Sequence, residues 1–138
     1  MSDLVRISMS LENSLLDRFD RFVNDEGYPT RSEAIKALMR QSLDEKAWAK
    51  DEQVAGSITL VYDHHRRGIV KQLMDIQHDF GSLIVSTQHV HLDHDHCLEI
   101  IVVKGKASRI RELLSTLKSN KGVKHNSLVM TAIGKHLS

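Results

Sequence analysis

One cysteine in 138 residues cannot close an internal disulfide, so the chain is expected to keep a reduced thiol in a cytoplasmic setting. Its N-terminus, Met1-Ser2-Asp3, has neither a basic segment nor a following apolar stretch, so no secretory leader is expected. No apolar run approaches the ~20 residues needed to span a bilayer, and no membrane association is expected. Aromatic residues are few and proline occurs once, at Pro29. Net charge is only +1, and residues 1–50 carry eight Lys/Arg against nine Asp/Glu. Bulk charge therefore gives no signal for nucleic acid, and any DNA-binding surface must come from where charges sit. There is no Ser–His or paired-carboxylate pattern suited to catalysis, so no enzyme and no small organic substrate are expected.

What the chain does have is histidine, nine in all, every one after residue 63. Four of them share nine residues with the cysteine: His89-Val-His91-Leu-Asp-His94-Asp-His96-Cys97. On a strand, His89 and His91 face the same side. Two imidazoles on one face, with a thiolate a short turn later, supply most of a transition-metal site. The competing reading is a solvated loop rich in His and Asp. Ordered strands predicted on both sides of the turn favour the metal site.

Val5, Ile7, Met9 and Leu11 alternate with Arg6, Ser8 and Ser10, which predicts a half-buried strand. Leu15, Leu16, Phe19, Phe22 and Val23 then follow helical spacing up to Gly27. Thr30 and Glu33 form a capping-box pattern that opens a second helix, expected to run to about Trp48. This strand–helix–helix segment is too small to bury a core alone, and its lone strand lacks a partner. Two copies pairing their strands antiparallel, as an intertwined dimer, would meet both needs. From Val54 the order changes to βαββαβ: strands at 54–62, 83–92, 97–104 and 123–131, with helices near 65–80 and before Gly122. That order predicts an α+β chain with a ferredoxin-like sandwich after the N-terminal segment. The run Cys97-Leu-Glu-Ile-Ile-Val-Val suggests a strand buried on both faces. The domain boundary is placed at residue 50, giving units 1–50 and 51–138.

With this order on the page, the chain resembles the nickel-responsive transcriptional regulators, the NikR family. Tyr28-x-x-Arg31-Ser-Glu-Ala-Ile35, Thr87-Gln-His89-Val-His91, His96-Cys97-Leu-Glu-Ile100 and Val102-Val-Lys-Gly105 carry the likeness. It extends over nearly the whole length. The resemblance implies a ribbon-helix-helix DNA-binding domain followed by an ACT-type metal-binding and tetramerisation domain. It further implies a homotetramer, a dimer of dimers, that represses nickel-uptake genes on double-stranded operator DNA when Ni²⁺ binds. The alternative is an ACT-like sensor of another transition metal or of a small molecule, still controlling a DNA-binding domain.

By the same resemblance, one Ni²⁺ per subunit is held by His89, His91 and Cys97 of one chain and His78 of a neighbour. Thiolate and imidazole donors suit planar Ni²⁺, but the same set would hold Zn²⁺ as a tetrahedron or Cu²⁺ still more tightly, so ligand type alone does not choose the metal. Strand counting supports sharing across the interface: His89 lies about seven residues, roughly 23 Å, along a strand leading away from His78. Glu99 reads either as an exposed strand carboxylate or as an acceptor that orients a ligand imidazole. His94 and His96 read as solvated turn residues. His64 and His65 read as a strand-to-helix turn, with a weaker accessory metal site as the alternative. His125 and His136 look peripheral. For DNA, Arg6, Ser8 and Ser10 form the outward strand face, and Arg31 and Ser32 open the second helix, where N–H groups can hold a phosphate. The family's interdomain cation site is matched by Glu33, but Ala37 stands where its second carboxylate would be.

Overall fold

The structure, a computed structural model, describes residues 3–133. His136 lies outside them. The first two elements are helices α1 (Asn13–Asp25) and α2 (Arg31–Ala49). Helix α1 ends where Gly27 adopts φ 79° and Tyr28 N–H reaches back to Val23 O at 3.0 Å. Helix α2 begins as its sequence predicts: Thr30 Oγ1 accepts a hydrogen bond from Glu33 N–H at 3.1 Å. The reciprocal half of the capping box is not made, because the Glu33 carboxylate pairs with Lys36 at 2.8 Å.

Residues 5–11, predicted as a strand, form none in the single chain. A strand is defined by its partner, and among the described residues no other segment pairs with it. Val5 is 82% and Ile7 70% exposed, and no residue of α1 is buried. Each apolar side chain left in water forgoes about 1.5–3 kcal/mol.

The rest of the chain is βαββαβ. Strands β1 (Gln53–Asp63), β2 (Ile84–His91), β3 (His96–Lys106) and β4 (Val123–Thr131) form one antiparallel sheet in the order β2-β3-β1-β4. Helices α3 (Ile69–Asp79) and α4 (Ala107–Lys118) cover one face, burying Ile69, Leu73, Ile110, Leu113 and Leu117 against Ile58, Leu60, Ile101 and Val103. Helix α3 is shorter than its predicted span, since residues 64–68 form the turn that feeds it.

The apolar run in β3 was expected to be buried on both faces. Only the helix-side residues Cys97, Glu99, Ile101 and Val103 are buried; Leu98 and Ile100 are half-buried and Val102 is exposed. With a single helical layer, no described segment of one copy of the chain covers the other face.

Trp48, near the end of α2, is anchored into this second unit. It is 1% exposed, its indole N–H donates to Thr131 O at 3.1 Å, and Arg111 both stacks over the ring and donates to Trp48 O at 3.2 Å. Gly56 makes room for it: a Cβ there would stand 2.8 Å from Val129 O and 3.4 Å from Trp48 Cζ2. Asp51, at φ 58°, turns the chain into β1 and accepts from Ser108 N–H at 2.7 Å, capping the start of α4.

Candidate metal centre

Strand register assembles the centre. Across the sheet, Tyr62 of β1, Cys97 of β3 and His91 of β2 form one row, and Leu60, Glu99 and His89 form the next. All point to the helix side, because each strand places alternate residues there. Strand β2 is the sheet edge, so His89 and His91 sit where another molecule can approach.

Glu99 is 1% exposed, which excludes the reading of an exposed strand carboxylate. Tyr62 O–H donates to its Oε1 at 3.2 Å and Gln77 N–H to its Oε2 at 2.5 Å. His89 Nδ1 lies 3.6 Å from Oε1 and 3.4 Å from the Tyr62 hydroxyl oxygen. Glu99 and Tyr62 thus flank the Nδ1 edge of the His89 ring. Among the described residues, no Lys or Arg pairs with Glu99. Burial of a carboxylate without a cation is costly. Burial, and then the charge of Glu99, push the Cys97 thiol above its ordinary value. Burial likewise pushes the Tyr62 phenol up, so it stays a hydrogen-bond donor. A divalent ion beside the sulfur would answer both the unpaired carboxylate and the thiol that must lose its proton. The donors present, one thiol and neighbouring imidazoles, fit nickel and its later first-row neighbours.

Cys97 Sγ is 3.5 Å from His91 Nδ1. One donor atom from each of His64, His91 and Cys97 lies within 4.8 Å of the other two. His64, expected to be a turn residue in solvent, is thus drawn to the thiol. Its place follows from a pairing that local pattern does not reveal: Asp63 is opposite His96, which brings the end of β1 beside the start of β3. Tyr62 was missed for the same reason, and Gln77 because α3 folds back toward Glu99.

His78 is exposed near the end of α3 and does not group with the other donors. The Gln77–Glu99 hydrogen bond nevertheless brings the last turn of α3 within two side-chain lengths of Glu99. Strand counting therefore overstated the separation between His78 and His89: the helix lies back over the sheet. His96, expected to be a turn residue in solvent, instead opens β3 at the end of the hairpin turn and is half-buried, its Nδ1 3.0 Å from Asp93 Oδ1. His94 lies in the same turn, beside His65. His125 is exposed on β4.

Of the residues assigned to DNA, Arg6, Ser8 and Ser10 are exposed. Arg31 makes a two-pronged ion pair with Asp20 of α1, both contacts at 2.8 Å, which also holds the Asp20 carboxyl below the usual carboxylate range. Ser32 lies exposed in the first turn of α2. Glu33, assigned to the interdomain cation site, is engaged by Lys36 and joins no group of metal donors among the described residues.

Residues 55–131 match the family model described as the NikR C-terminal nickel binding domain. A protein of Syntrophus aciditrophicus, by provisional name a nickel-responsive regulator, is 53% identical over 98% of both chains. One from Pyrococcus abyssi with the same provisional name is 52% identical, over 98% of this chain and 99% of that one. Among solved structures, uncharacterized protein TM1266 from Thermotoga maritima superposes with a TM-score of 0.53 at 20% identity, covering 57% of this chain and 98% of its own, which speaks to the fold alone. No helix among the described residues is long and apolar enough to cross a membrane. A nickel-binding domain match over more than half of the chain, with relatives about half identical from end to end, makes this protein a member of the NikR family of nickel-responsive regulators.

Proposed function

We propose that the protein is a nickel-dependent, sequence-specific DNA-binding repressor, acting as a homotetramer on double-stranded operator DNA of nickel-uptake genes. Residues 1–50 form a ribbon-helix-helix unit and residues 51–138 the metal-binding and tetramerising unit. The observation that carries this reading is the pair of rows on the sheet edge. His89 and His91 lie beside a buried thiol and a buried carboxylate, and both are exposed on an edge strand. His89, His91 and Cys97 of one chain, with His78 of a second, would hold one Ni²⁺ per subunit.

When bound, the ion supplies positive charge beside Glu99 and the Cys97 thiolate and ties two chains together. The protein's own residues set the response. Glu99 and Tyr62 fix the His89 ring. Gln77 links Glu99 to the helix that presents His78. Trp48 and Arg111 fasten α2 to the metal-binding unit, so a shift there reaches the DNA-facing helices. On the DNA side, residues 5–11 of two chains pair as a ribbon that buries Val5, Ile7, Met9 and Leu11. Arg6, Ser8 and Ser10 then face the major groove, and the start of α2 at Arg31 and Ser32 meets a phosphate. Regulation requires that the DNA-competent arrangement bind Ni²⁺ more tightly than the other, since a ligand shifts an equilibrium only through differential affinity.

An electrophoretic mobility shift on candidate promoter DNA, with and without Ni²⁺, tests the function. Native protein shifts the operator with nickel and the Cys97→Ala variant does not. A shift that is indifferent to nickel, or equal on random DNA, defeats the reading. Parallel titrations with Zn²⁺ and Cu²⁺ test the metal.

A further inference from the structure

The stretch Val102-Val-Lys-Gly105 near the end of β3, and helix α4 after it, take no part in the centre described above. Both meet the end of α3, the helix that carries Gln77 and His78. Leu73, Ile76 and Phe80 follow helical spacing and pack into the core, Leu73 and Phe80 buried and Ile76 half-buried. With about 100° between successive residues, the last turn then divides. Gln77 reaches inward to Glu99, and His78, one step on, is exposed. The direction in which His78 is offered is therefore set by how the residues on either side of it are held.

Three contacts hold them. Before His78, the Gln77 side-chain N–H donates to Glu99 Oε2 at 2.5 Å. After it, Phe80 closes the helix, its backbone N–H donating to Ile76 O at 3.2 Å. The Phe80 ring lies under the Arg109 guanidinium, whose Cζ is 4.9 Å from the ring centroid. Arg109 stands in the first turn of α4 and is itself paired with Glu112 one turn on, which orients the guanidinium. Beyond Phe80, its carbonyl accepts from Leu83 N–H at 2.9 Å across the short 3₁₀ turn Gly81–Leu83, and Leu83 is buried. A Cβ on Gly105 would stand 2.5 Å from Leu83 Cδ2, so the bare glycine is what lets this turn seat against β3.

We propose, on the reading of His78 as a nickel ligand, that Arg109 is a positioning residue for the metal centre. It acts through the Phe80 ring to fix the last turn of α3, and with it the direction of His78. A ligand carried on a turn that frays must be ordered when the ion binds, and that ordering is subtracted from affinity. The cation–π contact holds the turn before the ion arrives. A guanidinium on a phenyl face contributes enough to change affinity about two- to fivefold. The same turn presents His78 whether it serves its own chain or a neighbour, so the effect is expected in either case.

The test titrates the full chain in its native assembly with NiCl₂ against a competing chelator, reading thiolate-to-nickel absorption. Arg109→Ala should weaken nickel binding about two- to fivefold, and Arg109→Lys, which keeps a cation for the ring, should restore most of the loss. In Phe80→Leu protein, which has no aromatic face, Arg109→Ala should add no further loss. In His78→Ala protein it should also change nothing, which separates positioning from a general loss of stability. A second readout needs no metal. In apo-protein carrying Arg109→Ala, the amide protons of residues 77–80 should exchange about two- to fivefold faster, while those of β1 do not. Unchanged affinity in Arg109→Ala, an equal loss in the His78→Ala background, or unchanged exchange at residues 77–80 overturns the proposal. If native nickel binding does not depend on His78 at all, the ligand assignment falls and the role of Arg109 falls with it. Dependence on His78 without a response to Arg109 defeats the positioning role alone.

Discussion

Residues 3–46 and residues 47–132 solve the same problem in opposite ways. Every member of the hydrophobic core cluster lies at Ala47 or later. Before that point only Ala34 is buried, while Leu4, Val5, Ile7, Met9, Leu11, Leu15, Leu38, Met39 and Leu43 are exposed. The later unit satisfies its own strands and covers one sheet face with helices. The earlier one has an amphipathic helix, α1, a second helix, α2, whose apolar residues are spread around it, and an alternating segment, yet little among the described residues to put against them. The hydrophobic pattern of α1 is as regular as that of the later unit's helices. What differs is where the complement is found: within the chain for one, in a second copy for the other under the proposed ribbon pairing.

The harshest way to break this comparison is Ile7→Asp. If two ribbons pair and bury Val5, Ile7, Met9 and Leu11, each dimer carries two such substitutions. Each loses roughly 1.5–3 kcal/mol of burial and adds the cost of a buried charge. Operator binding should then fall by at least about 100-fold in a mobility shift, while nickel binding at Cys97 stays as in native protein. Unchanged operator affinity would mean that this segment works as a single exposed chain.

Trp48→Ala attacks the joint between the two regions. It empties a fully buried site and removes the indole hydrogen bond to Thr131 and the Arg111 stack. A loss of about 3–5 kcal/mol in denaturant unfolding is expected. Nickel binding should persist, but the nickel dependence of the DNA shift should shrink, because α2 is no longer fastened to the metal-binding unit. If unfolding is unchanged, the ring is not the anchor its burial indicates. A variant that is destabilised yet keeps a full nickel response removes Trp48 from the path of communication.

The two regions also differ in how much of them could be read from residues alone. The order of helices and strands, the βαββαβ arrangement and the capping Thr30 follow from periodicity and local chemistry. Those signals act over a few residues. The burial of β3 on one face only does not follow, because Leu98, Ile100 and Val102 look alike whether a helix or solvent lies above them. The unpaired state of residues 5–11 is likewise invisible to a pattern that records alternation but not its partner. At the metal centre, His91 and Cys97 were legible because six residues separate them. Tyr62 and Gln77 were not, and His64 was offered only to a separate accessory site, because only the pairing of β1 with β3 and the path of α3 bring them there. Gln77 also shows why the ~23 Å estimate for His78 failed: counting along a strand ignores a helix folded back over it.

A mixed oligomer sharpens the same contrast at the metal. One chain carries His78→Ala and the other Cys97→Ala, and neither alone can build the proposed centre. If His78 crosses between chains, half of the centres in a mixed dimer combine an intact His78 from the Cys97→Ala chain with His89, His91 and Cys97 of the other. Subunit exchange should restore about half of the native charge-transfer absorption in those dimers. No recovery, with exchange confirmed by mass spectrometry, would leave His78 serving its own chain, a reading the Gln77–Glu99 contact keeps geometrically open.

The smallest expected effect is one of pH, and it separates the thiol from its surroundings. Burial and Glu99 hold the Cys97 thiol above its ordinary value of about 8.5. Two consequences follow, of opposite sign. Nickel must displace the thiol proton. Between about pH 7.5 and 8.5, where imidazoles are already neutral, affinity should therefore climb toward tenfold per pH unit and show no plateau at the ordinary thiol value. The apo-protein should behave the other way. A group whose folded-state value is raised contributes stability that is fully present below its unfolded value and is lost as pH rises through the folded one. Thermal stability without metal should thus decline from about pH 8.5 upward, before the unfolded-state tyrosines and lysines titrate near pH 10. Cys97→Ala should flatten that decline, and it should remove the pH slope of whatever nickel binding remains. A native apo-protein with constant melting temperature from pH 8 to 9.5 would show that neither burial nor Glu99 raises the sulfur as the geometry indicates.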